Sequence, residues 1–318
     1  MIRLDALTKT YATAQGTTTA VDGVSLEVGA GETCVLLGPS GCGKTTTLRM
    51  INRLVAPTSG KIYIGGKDTD SVDPVELRRG IGYVIQQIGL FPNMTVAENI
   101  GVVPRLLGWD ATRRRRRAEE LLSLLALPPA AFADRYPNEL SGGQAQRIGV
   151  GRALAVDPPV LLMDEPFAAL DPVNREAIQD EFLRMQAKLG KTILFVSHDI
   201  DEAVKMATRI AIFSSGRLVQ YAAPDEMLAH PADPFVASFV GSDRTLKRLR
   251  LIRAREVMTA AATVDADAPS VAPDDDLRRV AALFLGHNAE ALRCVDGEGR
   301  VVGIVTRDAV AARLADGG

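Results

Sequence analysis

Eight consecutive residues, Gly38-Pro39-Ser40-Gly41-Cys42-Gly43-Lys44-Thr45, fit the pattern G-x-x-x-x-G-K-[ST], and their types suit one task, gripping phosphate oxygens. Glycines let successive backbone N–H groups turn toward one anion, and a helix opening at Lys44-Thr45-Thr46 adds the partial positive charge of its N-terminus. Lys44 brings a point charge whose attraction to a phosphate at ~4 Å is about 4 kcal/mol before desolvation at a protein-like dielectric. Thr45 offers a hydroxyl to a metal ion. The alternative is a chance Gly-rich turn, but the bare pattern arises by accident only about once in a hundred chains of this length.

Two further segments carry charge chemistry. Val160-Leu-Leu-Met-Asp164-Glu165 is an apolar strand ending in two carboxylates. Asp164 is placed to hold Mg²⁺ through water and Glu165 to polarise an attacking water, which suffices for phosphoryl transfer because that reaction needs mainly positioning and charge neutralisation. Such a strand end is unremarkable alone and gains meaning downstream of a phosphate loop. Leu140-Ser141-Gly142-Gly143-Gln144 supplies a second helix N-terminus suited to an anion, although one already exists at Lys44.

The elements that must hold these residues follow from the pattern. Residues 1–29 read as short strands, Ile2–Leu4 and Val21–Val28, with turn chemistry between them. Cys34–Leu37 is a buried strand feeding the Gly-rich loop and its helix, the unit that opens a parallel α/β sheet. Val160–Met163 and Thr192–Ser197 read as central strands. Helical periods at Val96–Leu107, Arg113–Leu125 and Gln144–Ala155 make a helical insertion at about 88–157. The expected division is a nucleotide-binding domain at 1–241, a basic linker at 242–255 and a small unit at 256–315.

Composition removes several classes. The 318 residues carry a formal net charge of −2 and the pI is near 6.0, against the basic excess of a general nucleic-acid binder, so no nucleic-acid partner is expected. Cys34, Cys42 and Cys294 have no metal-ligand spacing and read as small core residues in a reducing compartment. The N-terminus lacks a signal-peptide pattern, and the apolar runs fall far short of the ~20 residues that span a bilayer. The expectation is a cytosolic chain whose link to a membrane comes through a partner.

At Leu140-Ser141-Gly142-Gly143-Gln144 the sequence resembles the ABC ATPase family, whose signature this pentapeptide is, and the resemblance runs from residue 1 to about 240. It implies a P-loop NTPase fold with a helical subdomain, ATP and Mg²⁺, and hydrolysis in a site shared with a second copy of the chain, where the signature of one subunit caps the γ-phosphate held by the loop of the other. It further implies that Tyr11 stacks on adenine and that Val21 borders the nucleotide. Gln86, ending Gly82-Tyr-Val-Ile-Gln, reaches Mg²⁺ together with Thr45 and Asp164, with Gln87 the alternative register. Asp171 crosses the dimer interface, and His198, in Val196-Ser-His-Asp, contacts the γ-phosphate beside the catalytic Glu165. Ala145 departs from the glutamine of many members, beyond the phosphate-facing atoms.

Lacking membrane spans, the chain resembles the separate ATPase subunit of an importer, peripheral on the cytoplasmic face of the membrane, with permease subunits and, through them, a substrate-binding protein as partners. Met50-Ile-Asn-Arg-Leu-Val-Ala-Pro, Asp73-Pro-Val-Glu-Leu-Arg-Arg and Tyr136-Pro-Asn-Glu-Leu-Ser-Gly-Gly are similar to quaternary-amine (glycine betaine, carnitine, choline) uptake ATPases. Import of another small polar solute, such as an amino acid, and a soluble ABC ATPase outside transport are the rival readings.

The arginine run Arg113–Arg117 reads as a solvated helix face paired with Glu119 and Glu120, with anionic lipid as the alternative. Residues 256–315 resemble a single CBS repeat, a small α+β unit that works in pairs. Its Thr306 and Asp308 have one residue between them where nucleotide-binding repeats have two, which argues against a ligand there. A regulatory or dimer-stabilising role is the expectation, with a degenerate structural remnant the alternative, and the basic linker is a candidate for contact with anionic lipid.

Overall fold

The computed structural model describes the chain except for Gln15, Gln87, Ile88, Ala169, Asp171 and residues 261–267 and 316–318; of Pro172, Val173 and Asn174 only the backbone is described. Two compact units emerge, Met1–Asp199 with Met206–Tyr221, and Ile200–Lys205 with Ala222–Gly318.

The first unit holds two sheets. One runs Gly16–Val28, Ile2–Thr13, Ser59–Ile64, Lys67–Asp68 in spatial order, with antiparallel neighbours. The other runs Arg217–Ala222, Arg209–Ser214, Thr33–Leu37, Thr192–Val196, Val160–Asp164, Ile81–Val84. From Arg209–Ser214 to Ile81–Val84 its neighbours are parallel. Every residue of Thr33–Leu37, Val160–Asp164 and Thr192–Val196 is buried, which is why these strands read as unbroken apolar runs rather than as alternation. Helix Lys44–Ile51 puts Leu48, Met50 and Ile51 into a core shared with Leu4, Val21 and Val28 of one sheet and Leu36, Leu162 and Val196 of the other.

Register does the positioning. Leu36 pairs with Val196, and Val196 pairs with Asp164. The loop after Leu37, the turn after Val196 and the carboxylates at 164–165 therefore leave the sheet at one edge, outside the carboxyl ends of parallel strands where α/β sheets place their ligands.

The N-terminal strands are longer than the short segments expected. They span Ile2–Thr13 and Gly16–Val28 and pair out to Thr13 opposite Gly16. Their outer halves are exposed and Thr-rich, so no apolar alternation marks them, yet β-branched threonine suits a strand.

The helical insertion comprises Val96–Ile100, Val102–Leu106, Ala111–Leu124, Pro129–Phe132 and Gly142–Ala153. Thr95 and Glu98 form a capping box, and Asp110 caps the helix that carries the arginine run. Arg115 pairs with Glu119 and with Asp134, Arg116 with Glu120, and Arg117 with Glu120 and Asp157. Arg115 to Arg117 are thus engaged with their own fold's carboxylates, while Arg113 lies over the Trp109 ring and Arg114 donates to the Trp109 carbonyl.

In the second unit, Ala291–Val295 lies between Ser270–Val271, its parallel neighbour, and Val301–Thr306, its antiparallel one. Helices Leu277–His287 and Arg307–Ala315 complete it, around a core that includes Val280, Phe284, Leu292 and Val305. The expected basic linker is a correction. Arg244–Arg248 and Ala254–Val257 are helical, and Leu249, Ile252, Ala254 and Val257 belong to that same core. Lys247 and Arg248 are buried, Lys247 held by Asp243 and Arg248 by Asp225 at 2.7 Å. Long basic side chains bury their stems once a carboxylate meets the head. A sequence rich in arginine therefore hid an inward-facing segment, and these two residues are not available to lipid.

Candidate functional site

The phosphate loop is shaped by what its glycines avoid. A Cβ on Gly38, whose φ is +143°, would stand 2.3 Å from the Phe213 carbonyl oxygen. One on Gly43, at φ +103°, would stand 2.3 Å from that of Ala20. Both positions need glycine because the backbones of two strands, Arg209–Ser214 at Gly38 and Gly16–Val28 at Gly43, close on the loop. Gly41, at φ +79°, has nothing within 4 Å of its Cβ position and lies on the loop's open side.

Lys44 is only 6% exposed. Its Nζ donates to the Gly38 carbonyl at 2.7 Å and the Pro39 carbonyl at 2.9 Å, and no carboxylate of the described residues lies within ion-pair distance. A buried ammonium held by two carbonyls and the Cys42 sulfur still lacks a counter-charge. With the helix N-terminus beginning at the same residue, the loop fits an anion such as a phosphate.

The Thr45 hydroxyl donates to Asp164 Oδ1 at 3.0 Å, and Asp164 is buried. Hard oxygen donors of this kind are what Mg²⁺ takes. Glu165 follows with φ +46°, a left-handed conformation that costs a non-glycine residue about 1 kcal/mol. Its amide donates to the Val196 carbonyl at 3.1 Å, which holds the turn. The strained backbone aims the carboxylate out of the sheet edge, where Gln86 Nε2 donates to Oε2 at 2.9 Å and His198 Nδ1 stands 3.7 Å from the same oxygen. Gln86 and His198 are both exposed.

Six expected residues, Lys44, Thr45, Asp164, Glu165, Gln86 and His198, are thus gathered at a single edge, linked by chain neighbours or by direct side-chain contacts. Gln87 and Asp171 lie outside the described residues. Tyr11 is 40% exposed on its strand, with the Lys9 ammonium 5.0 Å from its ring centre. Val21 is fully buried, beside Gly43 and within the core. Residues 38–46 otherwise lie where expected, with Pro39, Ser40 and Gly41 exposed and Cys42 turned inward.

Ser141 stands elsewhere. It caps helix Gly142–Ala153, accepting from the Gln144 amide while Gln144 Oε1 accepts from the Ser141 amide at 2.9 Å. Ser141 and Gly142 are exposed, and Gly143 packs where a Cβ would meet Ile178 at 2.7 Å. No described hydrogen bond or ion pair joins Ser141–Gln144 to the loop at 38–45.

Comparison with known proteins fits this geometry. The chain is 58% identical over 308 residues to the osmoprotectant import ATP-binding protein of Salmonella typhimurium, covering 96% of this chain and 79% of that one. The chain belongs to the ABC transporter family, as one of its ATP-binding subunits. The family model for ABC transporters matches residues 21–168 and that for the CBS domain residues 254–316. Other ABC relatives are the glycine betaine/carnitine/choline transport ATP-binding protein of Bacillus subtilis, 48% identical over 96% of this chain and 78% of its own length, and the glycine betaine uptake system ATP-binding protein of Escherichia coli, 45% identical over 91% and 93%. Among solved ABC structures, the dimeric post-hydrolysis state of an ATP-binding cassette bound to ADP and Pi matches with TM-score 0.63 and 37% identity, over 70% of this chain and 98% of that one. This ABC chain is therefore an ATPase subunit that binds ATP. None of its described helices is long and apolar enough to cross a membrane.

One residue the sequence did not single out is Arg152, whose guanidinium donates to the Gly89 carbonyl at 2.6 Å. No local pattern marks that pair.

Proposed function

We propose that the chain is the ATP-hydrolysing subunit of an importer for a quaternary-amine osmoprotectant such as glycine betaine, carnitine or choline, working as a head-to-tail dimer on the cytoplasmic face of the membrane. The observation that carries the dimer is the presence of two anion-ready helix N-termini, at Lys44 and at Ser141, with no described contact between them. The substrate class rests on the names of the relatives and on the sequence segments similar to them. Permease subunits, and through them a binding protein, supply the solute path.

In this reading the amides of 38–46 and Lys44 hold the phosphates, Tyr11 stacks on the base, and Ser141, Gly142, Gly143 and Gln144 of the second copy close the site, with Asp171 at the join. Thr45, Asp164 and Gln86 would hold Mg²⁺, which neutralises charge on the phosphates when bound. Gln86 fixes one oxygen of Glu165, and the carboxylate orients the attacking water and takes its proton. His198 contacts the terminal phosphate and stands close enough to Glu165 to share its position. The CBS-like unit regulates or stabilises the dimer. Its Thr306 hydroxyl is already used as a helix cap, accepting from the Ala309 amide at 3.1 Å, which adds to the spacing argument against a nucleotide there.

Glu165→Gln tests the chemistry. The variant should bind ATP, accumulate as an ATP-held dimer and lose at least about 100-fold in hydrolysis, the scale of a removed general base. Parental turnover would remove Glu165 from its role.

A further inference from the structure

The segment that begins at Gly89 is fastened to the helix that follows Ser141. Arg152, in the last turn of helix Gly142–Ala153, donates from Nη1 to the Gly89 carbonyl at 2.6 Å, and its guanidinium lies 5.8 Å from the centre of the Phe91 ring. Burial pushes this guanidinium's pKa down, the mark of a cation drawn partly out of water, where a charge-assisted hydrogen bond counts for more.

The segment is also stiff. Asn99 is fully buried, accepts from the Phe91 amide at 2.8 Å, and donates from Nδ2 to the carbonyls of Phe91, Met94 and Thr95 at 3.0–3.1 Å. Residues 91–95 are thereby bound to helix Val96–Ile100, whose own first amides donate to the Arg135 and Ala133 carbonyls. Gly89 is three residues from Gln86, a span of about 10 Å at full extension, and Gln86 holds Glu165. Ser141, the N-cap, and Arg152, in the last turn, stand about 16 Å apart along one continuous helix.

We infer that Arg152 is a positioning residue that makes the Gly89–Thr95 segment and helix Gly142–Ala153 move as one body. The state of the Gln86–Glu165 pair in one ATP site is thereby passed to the Ser141 that completes the other. The inference rests on the shared-site reading above. A helix end that only needed packing would be served by the aliphatic stem; the carbonyl of Gly89 and the ring of Phe91 together call for a planar, charged donor.

The test uses the full chain and three readouts: ATP affinity, kcat, and the Hill coefficient of hydrolysis against ATP. Arg152→Met keeps the stem and removes the donor; Arg152→Lys restores a donor to Gly89. Arg152→Met should bind ATP as tightly as the parent, because the Lys44 loop is untouched. Its kcat should fall about tenfold and its Hill coefficient toward 1, while Arg152→Lys, a charged donor without the planar fork, recovers part of both. Parental kcat and Hill coefficient in Arg152→Met overturn the inference. So does a loss of kcat that Arg152→Lys shares in full, with the Hill coefficient unmoved, since that is packing alone. Should Arg152→Met fail to fold, Arg152→Lys at parental melting temperature must show an intermediate Hill coefficient; a parental or fully lost value overturns the inference. If instead the parent shows no cooperativity and its Glu165→Gln variant forms no ATP-held dimer, the shared site is what fails, and the role of Arg152 falls with it.

Discussion

The hydroxyl of Thr45 donates to Oδ1 of Asp164 across 3.0 Å, joining the first turn of the helix after the phosphate loop to the last residue of a strand 119 positions later. Two oxygens that a divalent cation would share are already side by side. The geometry is set by parallel register rather than by either residue, because Leu36 and Asp164 are aligned with the same Val196 on the strand between them.

Asp164→Asn keeps an oxygen for Thr45 and removes the charge. The fold should therefore survive while the Mg²⁺ concentration for half-maximal turnover rises about tenfold or more, the usual scale for altering a metal's supporting carboxylate. A Mg²⁺ titration of phosphate release checks this, and an unmoved half-point would take Asp164 out of the metal's surroundings.

Gly38→Ala attacks the loop itself. The added methyl would lie 2.3 Å from the Phe213 carbonyl, at a φ that side chains rarely adopt. A loss of roughly 2 kcal/mol or more in urea unfolding is expected, together with weakened ATP binding. Gly41→Ala, with no atom within 4 Å of the new methyl, should cost less by the same measurement.

Asp225 organises the second unit. Burial alone would push its carboxyl up, but Arg248 and Arg313, at 2.7 and 2.9 Å, outweigh that and hold it below the ordinary value. A carboxyl depressed in the folded state adds stability that is fully present above its unfolded pKa, near 3.9, and is lost as pH falls through the folded value. Asp225→Asn should lower the unit's stability by about 3 kcal/mol at pH 7, because Arg248 stays buried without its partner. Below about pH 4 the difference between parent and variant should shrink, which a series of urea midpoints against pH reads directly.

The legibility of this chain follows from the range of each interaction. Gly38 to Thr45, Asp164-Glu165 and Ser141 to Gln144 were readable because glycine freedom, charge and helix capping act within a few residues, and the structure puts the first two sets at one sheet edge. The central strands were readable because burial on both faces leaves a continuous apolar run. The full burial of Val21 was not readable, because period-two alternation does not say which face of a strand beside a loop turns to the core. The basic stretch from Arg244 misled because the partners of Arg248, Asp225 and the Leu314 carbonyl, lie 23 and 66 residues away in sequence. The left-handed turn at Glu165 and the bond from Arg152 to Gly89 are long-range products of packing, and no local signal announces them.

The most direct measurement is sedimentation of Ser141→Arg at saturating ATP, read alongside its phosphate release. Ser141 is exposed and touches nothing in its own Lys44 loop, so the variant should fold and bind ATP. If a second molecule's Ser141 must close over the triphosphate, the protein will stay monomeric and release phosphate at least about 100-fold more slowly than the parent. A monomer that hydrolyses ATP at the parental rate would show that one chain alone builds the whole site.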